Sequence, residues 1–295
     1  MPGDRMNYVQ NFDYGRESPS LGLTGIMLLI QSYNGDFNTL LYYTTFVCMF
    51  ITLLAYRYSR EATPNALLVL MLSQYIQMTY DGLKQSYASA FATLMLVILL
   101  KEHTIKRDIT CIILIVMAIL FHVSSFILIP IFLWIRFKPH FNSRKLLLPL
   151  LIASIVFIQL LFILSYVLSS FVPVLSEKID DYFFSDNEDQ YSAAMSIIKG
   201  IPFYIIAYIG YKYRDKLVNK IYHYDGYCLI AMLCAFMFFM NVYNAWMSRF
   251  TYYFQFVSYI FWGLILLKLP HFKIYNVAII LITGIITYRL FIMIF

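Results

Sequence analysis

Ile109-Thr-Cys-Ile-Ile-Leu-Ile-Val-Met-Ala-Ile-Leu-Phe121-His122-Val-Ser-Ser-Phe-Ile-Leu-Ile-Pro-Ile-Phe-Leu-Trp-Ile135 is the stretch that decides the fold. It is apolar from 109 to 135 apart from one interruption, Leu120-Phe121-His122-Val123-Ser124-Ser125. Its length alone suggests a single crossing of a bilayer, which needs about 20 apolar residues. The flanking charges argue otherwise. Lys101, Lys106 and Arg107 precede it, and Arg136, Lys138, Arg144 and Lys145 follow. Short loops rich in Lys and Arg mark the cytoplasmic side. With both ends cytoplasmic, the stretch must enter and return as two short helices, turning near His122 towards the outside. Non-helical backbone at membrane depth is tolerated only inside protein or beside a water-filled cavity. The hairpin therefore predicts a cavity that opens outward.

Working outward, further apolar runs occupy 38–56, 65–80, 83–100, 146–172, 194–211, 226–247, 250–267 and 274–294. The run 21–33 is too short to span comfortably and reads as re-entrant or interfacial. A full crossing there puts the N-terminus inside; a re-entrant helix, the preferred reading, leaves it outside with Asp36. Arg57 with Arg60, the group Lys212, Arg214, Lys216 and Lys220, and Lys268 with Lys273 mark further cytoplasmic loops. The loop 173–193 carries Glu177, Asp180, Asp181, Asp186, Glu188 and Asp189 against Lys178, and is placed outside. The expected fold is all-α: a polytopic transmembrane protein of about 9–11 membrane segments, hairpin included. Residues 1–295 form a single integral membrane domain.

Composition agrees. Hydrophobic residues make up 61% and charged residues 13% of the 295, and the mean hydropathy is +0.70. A soluble domain carries about a quarter charged residues. The net charge of +6 sits in short loops, with no basic helix or tail for nucleic acid. Cys48, Cys111, Cys228 and Cys234 lie in apolar runs without a CxxC pair and read as packing residues. Residues 1–20 are polar, so an internal apolar run has to act as the insertion signal. No HExxH, Walker, GxSxG or DxD-type metal motif occurs, and no metal or cofactor is expected.

Ionisable groups in membrane segments are costly and mark function by default. Three places qualify. In Tyr80-Asp81-Gly82-Leu83-Lys84-Gln85, Lys84 and Gln85 open an outgoing helix and Asp81 is positioned to cap it; the plain alternative is a capped turn with a snorkelling lysine. His122, at the hairpin tip, is a general base, a hydrogen-bond donor or a satisfied interior histidine. Arg249 keeps its charge in any environment and binds phosphate through two parallel hydrogen bonds; the alternative is an interfacial anchor in an aromatic belt. Aromatic residues reach 19%, which suits both belts and a sugar-stacking cavity.

These places also carry a resemblance. Lys84-Gln85-Ser-Tyr-Ala-Ser-Ala-Phe looks like the Arg-Gln plus small-residue helix start of EpsG-like membrane proteins. Phe121-His122-Val-Ser-Ser-Phe resembles their Phe-His-x-Ser/Thr hairpin, and Arg249-Phe-Thr-Tyr252-Tyr-Phe their late Arg-aromatic motif. Asp4-Arg5-Met-Asn-Tyr8-Val-Gln-Asn-Phe12 is similar to their Asp/Tyr-containing external loop. Lys84 stands where that family usually has Arg. The family usually has a spanning helix before that loop, whereas this sequence begins within it. The resemblance implies a membrane glycosyltransferase of polysaccharide biosynthesis, a repeat-unit polymerase (Wzy-type) at the outer face of a bacterial plasma membrane. Its substrate would be an oligosaccharide on undecaprenyl diphosphate, its product exopolysaccharide, capsule or O-antigen. A flippase and a chain-length regulator are the implied partners. His122 and Arg249 are the catalytic candidates, and Lys84, Gln85, Asp81, Asp4 and Tyr252 the substrate-binding ones. The alternatives are a membrane acyltransferase that modifies the glycan and a flippase or transporter of lipid-linked sugar.

Overall fold

The computed structural model describes residues 3–13, 20–59, 82–138, 141–146, 193–241 and 247–269, and a few positions between 149 and 285. The runs 65–80 and 274–294, most of 146–172 and the acidic loop 173–193 lie largely outside these residues, as does Asp81. The longer helices are α1 (Gly3–Asp13), α2 (Leu21–Ser32), α3 (Phe37–Ser59), α4 (Leu83–Leu99), α5 (Ile105–Phe121), α6 (Leu128–Phe137), α7 (Ala193–Lys212), α8 (Tyr224–Met240) and α9 (Ser248–Lys268), with a single helical turn, Arg214–Leu217, between α7 and α8. No strand occurs among the described residues, and the protein is an all-α membrane protein.

Phe37–Ser59 and Arg249–Lys268 are long and apolar enough to cross a bilayer. They bury differently, 33% against 78% of their apolar windows, so α9 is central and α3 peripheral. The outer helices show lipid-facing stripes at helical spacing: Ile105, Ile109, Ile112, Val116 and Leu120 on α5, and Tyr42, Phe46, Phe50 and Leu53 on α3 are all exposed. α4 is the other central helix. Its Ser86, Ala88, Ser89, Ala90, Ala92 and Thr93 are fully buried, and small side chains let helices approach closely where lipid provides no hydrophobic drive. All four cysteines are free and buried, as packing residues should be.

The 109–135 stretch folds as the flanking charges predict. α5 ends at Phe121, His122 is extended (φ −149°, ψ 119°), a 3-10 turn covers Val123–Ile127, and α6 follows. Arg136 at the end of α6 pairs with Asp108 in the first turn of α5, so the two ends of the stretch meet. α5 runs antiparallel to α4: Phe121 stacks on Tyr87 (4.3 Å between centroids), the Cys111 thiol donates to the Met95 carbonyl and Arg107 donates to the carbonyls of Leu99 and Lys101.

α2 is about 18 Å long at helical rise, short of a hydrocarbon core. Ser20 caps it by accepting the Leu23 N–H, and the same hydroxyl donates to the Leu120 carbonyl, tying α2 to the hairpin tip. Gln31 at its other end donates to the Phe12 carbonyl of α1. Left-handed Asn34 (φ 57°) and Gly35, where a Cβ would meet Ile30 at 2.6 Å, turn the chain sharply into α3. Asp36 then caps α3. The hydroxyl and backbone N–H of Thr39 both donate to its carboxylate and hold its pKa below the usual range. The N-terminal motif resembling an external loop is helical in the structure, as α1.

Charges gather at the end of the bundle where α4 finishes and α8 begins. Arg214 binds both oxygens of Asp225 (2.7 and 2.6 Å), and Ser143 donates to the same carboxylate through its N–H and hydroxyl. Arg144 holds Asp215 and the carbonyls of Tyr211 and Lys212. Asp225 and Arg214 are mostly buried, with 13% and 17% side-chain exposure. Asp225→Ala would leave the guanidinium without its fork partner and is expected to destabilise by about 1–3 kcal/mol. Thermal unfolding of the purified protein in detergent measures this; an unchanged midpoint would show the pair to be energetically idle.

Candidate functional site

The opposite end of the bundle holds the residues singled out in the sequence. Lys84 is the second residue of α4 and Arg249 the second residue of α9. The two helices run parallel and are stitched together by side chain to backbone bonds. Gln85 Nε2 donates to the Arg249 carbonyl at 2.7 Å, and one turn on, the Ser89 hydroxyl donates to the Tyr252 carbonyl. Two basic side chains therefore stand side by side at the amino ends of two parallel helices, neither of which has an acidic residue in its first turn. A helix amino end carries partial positive charge and favours anions. Placing cations there breaks the local rule, and such breaks concentrate at functional sites.

The hairpin tip completes the cluster. Because α5 is antiparallel to α4, its last residues arrive beside the start of α4, and the charges of Arg249 and Lys84 both bear on the His122 ring. His122 Nδ1 accepts the Ser124 N–H at 3.3 Å, capping the 3-10 turn, and lies 2.6 Å from the Ser124 hydroxyl. That hydroxyl is 2.6 Å from the hydroxyl of Tyr253, a fully buried residue of α9. Ser125, also fully buried, reaches both Tyr253 Oη (3.3 Å) and the Ala118 carbonyl (3.2 Å). Tyr8 of α1 contributes the ring beneath Lys84, whose Nζ lies 5.5 Å from the ring centroid. The cluster thus draws on α1, α4, α9 and the hairpin.

Lys84, Gln85, His122, Arg249 and Tyr252 come together, Tyr252 through its carbonyl. Asp4 lies on α1, the helix that brings Tyr8 to Lys84. The N-cap of α4 is Gly82, which has no side chain to cap with, so the capping role expected of Asp81 falls at a glycine. Ser89 and Tyr253 join the site without having been singled out, their only sequence signal being proximity to the motifs; Ser124 and Ser125, read in the sequence as the polar interruption of the hairpin, join it through their hydroxyls. Among the described residues no group of three or more His, Cys, Asp or Glu side chains is placed to hold a metal.

The EpsG family model matches residues 3–295, nearly the whole chain. Comparison with curated proteins and with solved structures gives no match. The chain belongs to the EpsG family, a family of polysaccharide biosynthesis.

Proposed function

We propose, with membership of the EpsG family as the premise, that this protein is a membrane glycosyltransferase that polymerises oligosaccharide repeats carried on undecaprenyl diphosphate. The observation behind this reading is the pairing of Lys84 and Arg249 at the amino ends of parallel helices beside His122. Two fixed cations backed by two helix dipoles suit a diphosphate. The chain crosses the bilayer several times, with the basic end formed by Arg136, Arg144 and Arg214 inside and the Lys84–Arg249 end facing out. The growing glycan, the lipid and external water meet at that outer rim.

The reaction needs little beyond this. A hydroxyl oxygen of the acceptor repeat attacks the anomeric carbon of the donor. The bond from that carbon to the diphosphate oxygen breaks, the electron pair leaves on the diphosphate, and the hydroxyl proton passes to a base, either His122 or the departing diphosphate itself. Negative charge grows on the leaving group, and preorganised donors stabilise it most. Arg249 supplies a planar fork for the diphosphate and Lys84 a point charge. His122 meets the reacting groups, as base or as donor.

Lys84 tests the reading. Lys84→Arg keeps the charge and is expected to polymerise normally; Lys84→Glu reverses it and should lower polymer output by roughly 100-fold, the scale of a lost charge-stabilising donor. The measurement is polymer amount and length in a strain lacking the native gene, complemented at matched membrane expression. Full-length polymer from Lys84→Glu would remove the diphosphate from this end of the bundle.

A further inference from the structure

We infer that Tyr253 and Ser124 are positioning residues that lock His122 into one neutral tautomer, with Nδ1 bare and the proton on Nε2, so that the ring serves the substrate as a hydrogen-bond donor. The inference rests on the polymerase reading for its substrate, but on geometry for the tautomer. A backbone N–H only donates. The Ser124 N–H pointing at His122 Nδ1 therefore requires an unprotonated nitrogen there. The Ser124 hydroxyl, 2.6 Å from the same nitrogen, must then donate to it as well. Having spent its proton, that hydroxyl accepts from Tyr253 Oη at 2.6 Å. Tyr253 Oη lies 3.3 Å from the Ser125 hydroxyl, whose one proton is shared with the Ala118 carbonyl, and the Gln85 amide also reaches the Tyr253 oxygen. From Tyr253 through Ser124 to His122 each link has one direction, and the chain runs from buried Tyr253 on α9 to the hairpin tip. A neutral imidazole with Nδ1 bare carries its proton on Nε2. That nitrogen then has no lone pair to offer an incoming hydroxyl. It donates to an oxygen of the donor diphosphate beside Arg249 and Lys84, and the acceptor's proton leaves on the departing diphosphate.

Two substitutions separate the ring's nitrogens. His122→Asn keeps an acceptor at the Nδ1 position, and so keeps the cap of the 3-10 turn, but has nothing at Nε2. His122→Gln carries an amide N–H out to the Nε2 position and loses the cap. Donor function predicts a fall of roughly 100-fold or more for His122→Asn and retention within about 10-fold for His122→Gln, the scale of a retained donor on a loosened support. Tyr253→Phe removes only the hydroxyl and is expected to lower kcat by roughly 10-fold in the wild-type background. In the His122→Gln background, where no Nδ1 remains to be held, it should cost nothing more, which a packing role would not produce. The tautomer is read directly by 15N NMR of histidine-labelled protein in lipid nanodiscs, with His122 assigned by its loss in His122→Asn. The expected spectrum shows Nδ1 unprotonated and Nε2 protonated, with an added Nδ1-protonated fraction in Tyr253→Phe, where the Ser124 hydroxyl is free to turn and accept while the Ser124 N–H still favours a bare Nδ1.

A protonated Nδ1 in the wild type would overturn the inference. So would wild-type activity in His122→Asn, or an equal cost of Tyr253→Phe in both backgrounds. The NMR arm needs no substrate. A wild-type protein that shows the expected tautomer but makes no polymer would count against the proposed reaction and leave the tautomer standing.

Discussion

Arg249→Ala is expected to abolish long polymer, with a loss of roughly 100- to 1000-fold in the rate of repeat addition. Arg stays charged in any protein environment, and here it is half-buried at the amino end of a helix whose dipole opposes it. Its backbone is fixed by Gln85, so the guanidinium starts from a defined point. Arg249→Lys preserves the charge but loses the planar two-bond fork, and should still fall by at least about 10-fold. The readouts are polymer length by gel in complemented cells and the amount of the variant in the membrane. Normal polymer from Arg249→Ala would return this residue to the role of an interfacial anchor.

Ser89→Leu is expected to leave a folded protein with roughly 100-fold less activity. Ser89 is fully buried between α4 and α9, within the run of small residues that lets the two helices approach. A leucine there must displace α9 or distort its own rotamer, at about 1–3 kcal/mol. It also removes the bond to the Tyr252 carbonyl, worth about 0.6 kcal/mol between membrane helices. The larger consequence is geometric. Lys84 and Arg249 ride on these two helices, and a misplacement of about 1 Å can cost two orders of magnitude. Ser89→Ala loses only the hydrogen bond and should remain close to normal. Polymer assays and thermal unfolding of both variants measure the two effects separately. Equal activity in Ser89→Leu and wild type would mean that the helix spacing does not set the site.

Charge patterning carried much of the fold. The hairpin followed from basic residues at both ends of 109–135, and the Arg136–Asp108 pair joins those ends. The short run 21–33 became a helix too short to span, also as expected. What the sequence hid depends on helix phase and on pairing across long separations. Tyr252 and Tyr253 are adjacent and chemically identical, and about 100° of helical rotation decides which ring enters the network. The sequence favoured Tyr252; the structure puts the Tyr253 hydroxyl against Ser124. The helix carrying Lys84 begins at Leu83, where the apolar run begins, with Gly82 as its N-cap; Asp81 lies outside the described residues. α1 was legible only as a motif, because its polar composition lacks an apolar period. The parallel pairing of α4 with α9, about 160 residues apart in sequence, leaves no local trace, yet it is what sets Lys84 beside Arg249.

On this reading the Lys84–Arg249 end of the bundle transfers a glycan between lipid-linked repeats. Purified protein in liposomes, given undecaprenyl-diphosphate-linked oligosaccharide as the sole substrate, tests it most directly. The expected result is a ladder of products lengthening by whole repeats, release of one undecaprenyl diphosphate per bond formed, and neither from Arg249→Ala. Intact repeats moved across the bilayer without any new glycosidic bond would contradict it.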